Sequence, residues 1–161
     1  MAPRNIALIA FRNAATQRAH FAIFIPSATD QDTGTLIHVV GAPMAGYQLA
    51  FKRNYSIVST NQQYTRHEIG QMTLDSTPKG AVEIAASQIR PPGINENFPA
   101  PVNDTTNKRC QEWTMEYVRH LVQLQYLDAG AIQIVQSKRN PPTHGIGLQP
   151  IGRGRGLGRD A

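Results

Sequence analysis

Residues 20–42 read HFAIFIPSATDQDTGTLIHVVGA. Two runs rich in β-branched and aromatic residues flank the turn-forming stretch ATDQD (28–32), the pattern of an antiparallel hairpin. Side chains on a strand alternate between its faces, so His20, Ala22 and Phe24 share one face and Leu36, His38 and Val40 share one face of the second strand. A register pairing residue 20 with 38 and 24 with 34 leaves a short loop from about Pro26 to Asp32 and makes the two imidazoles cross-strand neighbours.

Working outward, IALIAF (6–11) reads as a first strand, and its apolar run is shorter than the core of a secretory signal. GYQLAFKRNYSIV (46–58) and QQYTRHEIGQMTL (62–74) read as two more strands joined by a polar turn, with the Gly-rich GAPMAGYQ (41–48) as a turn before them. TPKGAVEIAASQI (77–89) reads as a helix capped by Thr77 or Ser76 and stopped by RPPG. From Arg90 to Asn107 a long loop with four prolines leads to the only cysteine, Cys110; loops of this length commonly form lids or binding walls.

The following helix has the clearest pattern. Asp104, Thr105, Thr106 and Asn107 offer capping oxygens, and Cys110, Trp113, Tyr117, Leu121 and Leu124 recur on one face. The expected stop is near LDAG (127–130), with Gly130 in the left-handed conformation. AIQIVQSKRN (131–140) fits a short strand or a helix equally. The expectation is therefore an α+β fold in which an antiparallel sheet packs against helices, forming one domain over residues 1–148 with a flexible Gly/Arg-rich tail over 149–161.

At 161 residues and 40% hydrophobic composition the chain supports a single core without disulfides or a structural metal. Its apolar runs are too short to cross a bilayer. One free thiol and no export signal lead to the expectation of a cytoplasmic protein. The charge of +5 is diffuse, and the tail GRGRGLGRDA (152–161) alone carries three Arg against one Asp. Such a distribution argues against nucleic acid as a partner of the folded domain.

A thiol at the start of a helix is favoured as thiolate by the unpaired N–H groups and the dipole there, and a nearby imidazole would favour it further. Of the five His, His120 lies too far along the same helix, His67 alternates with Arg66 on a polar strand and reads as solvent-facing, and His144 sits in a Pro/Gly loop. His20 and His38 lie in apolar strands, where imidazoles need partners. The candidate chemistry is thus Cys110 as nucleophile, His20 as general base and His38 as the group orienting His20. The Cys110 N–H, with Gln111 as a weaker helper, would stabilise an oxyanion. The bland alternative is that Cys110 is a small buried hydrophobe and the His pair part of a core.

Trp113 and Tyr117 read as core anchors and Glu112 as helix surface whose charge suits a helix N-terminus. Lys52 and Arg53 are either anion contacts or solvated strand ends. No His pair stands at ligand spacing, so neither a metal nor another cofactor is expected.

The order HFAIFIP, then LIHVVG, then NKRCQEW resembles the permuted papain-like superfamily, which includes lecithin:retinol acyltransferase and the NlpC-type cell-wall peptidases. The resemblance spans roughly Ala19 to Leu124 and implies a circularly permuted papain-like fold with His20, His38 and Cys110 as base, orienter and nucleophile. It further implies a cysteine-dependent hydrolase or acyltransferase working through an acyl-enzyme on a small-molecule, peptide or acyl substrate, in a fungal lineage. Acyltransferase members carry Asn-Cys followed by a second His, where this chain has Arg109 before the cysteine and Gln-Glu-Trp after it. Several of them also carry a membrane-anchoring helix, and none is expected here. The contrasting function is a non-catalytic papain-like binding module, with the tail making weak RNA contact.

Overall fold

The structure is a computed structural model, and it describes residues 4–12, 18–27, 29–42, 45–60, 62–72, 81–93, 102–103 and 108–140. Five strands form one antiparallel sheet: β1 (Arg4–Phe11), β2 (His20–Pro26), β3 (Thr33–Ala42), β4 (Gly46–Ser56) and β5 (Tyr64–Met72). Three helices follow: α1 (Ala81–Ser87), α2 (Cys110–Gln123) and α3 (Gly130–Lys138). The architecture is α+β, with an antiparallel sheet packed against helices.

The strand order is β4-β3-β2-β1-β5. The two strands read as neighbours across a polar turn therefore lie at opposite edges, with β5 paired to β1. β1 is apolar on both faces, with Ile6, Ala7, Leu8 and Ile9 fully buried, which suits an interior position in a sheet covered on both sides. The chain between β4 and β5 consequently crosses the sheet, and Ile57 is buried in the core on the face away from the helices.

The β2–β3 hairpin forms, with a register two residues from the expected one: Phe24 pairs with Leu36 and Pro26 with Gly34. The turn decides this. Ser27 N–H donates to Thr33 O at 2.8 Å, and Ser27 Oγ and Asp30 close a local side-chain turn at 3.0 Å. A shift of two preserves the faces because the strand period is two. At the far end of β3, Gly41 has φ +145°, and a Cβ there would sit 2.1 Å from Gly46 O, so the approach to β4 requires a glycine.

Two cores result. On one face Ile6, Leu8, Phe21, Ile23, Ile37 and Val39 pack against Trp113, Tyr117, Val118 and Leu121 of α2 and Val135 of α3. On the other, Ala7, Ile9, Phe11, Ala22, Phe24 and Leu36 pack with Ile57, flanked by Tyr55 and Tyr64.

α2 begins at Cys110 with Arg109 in the cap position, later than a cap among residues 104–107 would place it, and ends at Gln123, leaving Leu124 as an exposed C-terminal cap. The left-handed residue that turns the chain is Gln125, φ 65°, whereas Gly130 opens α3. The segment that fitted strand or helix is thus helical, and it buries Ala131 and Val135 one turn apart. Trp113 and Tyr117 are the expected anchors: Trp113 Nε1–H donates to Ile89 O at 3.0 Å and Tyr117 Oη–H to Val82 O at 2.8 Å. These bonds tie α1 and the chain after it to α2. The proposed caps Ser76, Thr77 and 104–107, most of the Pro-rich loop, His144 and the tail lie outside the described residues.

Candidate functional site: the start of α2 and the histidine pair

α2 starts beside the first residues of β2, so Cys110 and His20 come from elements that meet. The Cys110 thiol lies 3.8 Å from Ala19 O and interacts with the Phe21 N–H. It packs against the helix-side core. Ala19 and Phe21 belong to that same core. His20, between them, must point the other way.

The ring of His20 accordingly stacks beside Phe11, centroids 6.2 Å apart, on the face away from the helices. There it meets His38: His20 Nε2 and His38 Nδ1 are 2.8 Å apart, and the rings meet edge-on at 5.0 Å. The shifted register makes them diagonal neighbours, still within reach for long side chains. The pairing of the two imidazoles is therefore present, while the thiol and the His20 ring occupy opposite faces of the sheet.

Burial holds both imidazoles neutral. The pKa of His20 is lowered to about 4 by burial and then by Lys52. That of His38 is lowered to about 4 by burial, His20 and Lys52 in that order. His38 is 3% exposed and its Nε2 has no hydrogen-bond partner among the described residues. An unpaired buried ring nitrogen is costly when neutral and more so when charged.

Cys110 is half-buried. Burial pushes its thiol pKa up, Glu112 adds to that, and the Phe21 N–H, Arg18 and the Gln111 N–H act in the opposite sense. Desolvation thus outweighs the two backbone N–H groups and Arg18. Nearby Tyr47, also on the helix side, is pushed up to about 12 by burial and then by Cys110.

Gln111 and Glu112 are the residues whose environment the sequence pattern missed. Gln111 is fully buried and its amide is saturated. Its Nε2 donates to Ala19 O at 2.9 Å and Asn140 Oδ1 at 2.8 Å. Its Oε1 accepts from Arg18 Nη2 and Asn140 N–H, each at 2.9 Å. No donor remains for an oxyanion. Glu112, 1% exposed, is no helix-surface residue. It pairs with Arg18 and Arg139, each at 2.8 Å, and its Oε1 accepts the Arg109 N–H at 3.0 Å, half of a capping box. Two short segments far apart in the chain, Arg18–Ala19 and Arg139–Asn140, thus converge on the first turn of α2. The available signal was Glu at the third helical position; its Arg partners are 94 and 27 residues away.

The other candidates are dispersed. His120 Nε2 lies 2.7 Å from Gln88 Oε1, and Arg53 forms a two-pronged ion pair with Glu83 at 2.6 and 2.7 Å. Lys52 stands over the Tyr55 ring. His67 is half-buried on the helix side, with Nε2 2.9 Å from Thr65 Oγ1, and so does not face solvent fully. Among the described residues no three His, Cys, Asp or Glu converge as a metal site, and no helix is long and apolar enough to cross a membrane.

The family model described as a family of unknown function, DUF6540, matches residues 6–128. The chain belongs to that family. The matched span runs from within β1 to just beyond α2 and so includes nearly all of the sheet, the His pair and, of the Glu112 cluster, Arg18, Gln111 and Glu112, while Arg139 and Asn140 lie beyond it. No curated protein and no solved structure matches the chain.

Proposed function

We propose that the chain is a non-catalytic interaction module on a scaffold of permuted papain-like descent, in which Cys110 and the His pair serve packing. One observation carries this reading: the thiol lies on the helix side of the sheet, and the His20 ring stacks beside Phe11 on the other. A base must come within hydrogen-bond reach of the proton it removes. The raised thiol pKa and the saturated Gln111 amide are consistent with a structural role for the first turn of α2. The tail 149–161 adds weak, salt-dependent RNA contact, which deletion after Gln149 would abolish.

A second reading, a cysteine hydrolase or acyltransferase with an acyl-enzyme on Cys110, draws on the 2.8 Å contact between His20 and His38. That contact is what a base and its orienting residue would make. It needs the His20 side chain to move to the helix side, which would break its contacts with both Phe11 and His38.

Iodoacetamide alkylation of Cys110 across pH, in the parent and in His20→Ala, separates the two. The module reading expects slow alkylation that speeds up only above the ordinary thiol range and is unchanged in His20→Ala. Rapid alkylation at neutral pH that slows in the variant would establish a Cys–His pair and replace it with the hydrolase reading.

A further inference from the structure

Where β1 ends and β5 begins, a cavity of about 320 Å³ opens beside the last turn of α3. Its walls include Arg12, Ala19, Thr65, His67, Lys138 and Asn140, and among the described residues no carboxylate lines it. We propose that this cavity binds a small oxyanion, a carboxylate or phosphate group, held by Lys138, His67 and the Thr65 hydroxyl. The inference goes beyond the module reading and does not rest on it, since neither reading of Cys110 uses these three residues.

Three observations support it. First, the size falls within the range of small-ligand sites. Second, the charge is one-sided. Lys138 and Arg12 line the cavity, no described lining residue is acidic, and behind the Asn140 wall Arg18 and Arg139 both pair with Glu112. A concave site with cations of one sign and low-dielectric walls focuses a positive potential. Third, His67 Nε2 and Thr65 Oγ1 already stand 2.9 Å apart, so with the imidazole N–H donating to Oγ1 the Thr65 hydroxyl proton is left for a ligand and the His67 charge lies one bond behind it.

The groups facing His67 are Thr65 on its own strand, Leu8 and Ala10 of β1, and Lys138 of α3; Arg66 and Glu68 point to the opposite face and pair with each other. The pKa of His67 is lowered by burial and then by Lys138. An anion between them would offset both effects and favour imidazolium.

The test is the NMR titration of the His67 Cε1–H signal, assigned by its loss in His67→Gln. It is run on the full chain with inorganic phosphate, with acetate, or with chloride at equal ionic strength. The expected result is a higher His67 pKa in phosphate or acetate than in chloride, saturating in the millimolar range. In Lys138→Gln the chloride value should rise and the anion effect should shrink severalfold. An effect of acetate equal to that of phosphate assigns a carboxylate ligand, and an effect of phosphate alone assigns a phosphate ester. Identical titrations in all three salts would overturn the proposal, as would an anion effect undiminished in Lys138→Gln.

Discussion

The two faces of the sheet treat buried polar groups in opposite ways. On the helix side, Gln111 and Glu112 enter the core with every hydrogen-bonding position of the amide filled and two guanidinium groups on the carboxylate. On the other side, His20 and His38 have each other, and His38 Nε2 has no partner among the described residues. The first arrangement is a charged cluster that is costly to break, because removing one member leaves the others buried and uncompensated. The second is a neutral pair whose charging is opposed by burial and by Lys52. One face is therefore sensitive to mutation and the other to protons.

The sharpest way to break the contrast is Glu112→Gln, which keeps shape and leaves Arg18 and Arg139 without their carboxylate. The expected loss is about 3–5 kcal/mol in urea unfolding, and a loss below about 1 kcal/mol would show the cluster to be wet or mobile.

Acid should act through the other face. The imidazole pKa values are lowered in the folded chain from 6.5 to about 4. Between those values the unfolded chain binds protons that the folded one does not. Stability is thus full above about 6.5, falls as pH drops toward about 4, and levels off below. The two titrations are coupled, and each imidazole's share of the loss is on the order of 3 kcal/mol. A His20→Phe, His38→Leu double variant should be about as stable at neutral pH, since both partners become apolar together. It should lose most of that acid dependence in urea unfolding repeated across this range. An unchanged pH profile would place the acid sensitivity elsewhere.

Two smaller effects refine the helix side. Trp113→Phe keeps an aromatic ring and strands the Ile89 carbonyl that accepts its Nε1–H, for an expected cost of about 1–3 kcal/mol in the same unfolding measurement. Lys108→Ala removes an ion pair to Glu116 on the same helix that holds Glu112, but a partly exposed one. Its expected cost is about 0.5 kcal/mol or less. Equal costs for Glu112→Gln and Lys108→Ala would mean that burial is not what separates the carboxylates of α2.

Much of this was legible in the sequence. The alternation in HFAIFI and TLIHVV assigned His20 and His38 to one face, and an error of two in register left that assignment intact because the strand period is two. The helix from Cys110 followed from its repeating apolar positions, and Trp113 and Tyr117 proved to be anchors. The same alternation also implied that a helix packed on Phe21 and Ile23 would meet the face opposite His20. The sequence does not say on which face the helices settle.

That choice belongs to the tertiary structure. β1 is apolar on both sides, so its local pattern permits either covering; the helices took the face of Ile6, Leu8, Phe21 and Ile23, and the chain crossing from β4 to β5 closed the other with Ile57. The partners of Glu112 were equally beyond local reading, because Arg18 and Arg139 approach it only after β2 and α3 have docked. Local backbone and side-chain preferences determine strands, helices and faces over a few residues. Which faces meet, and hence whether a thiol and an imidazole can react, depends on contacts between residues far apart in the chain.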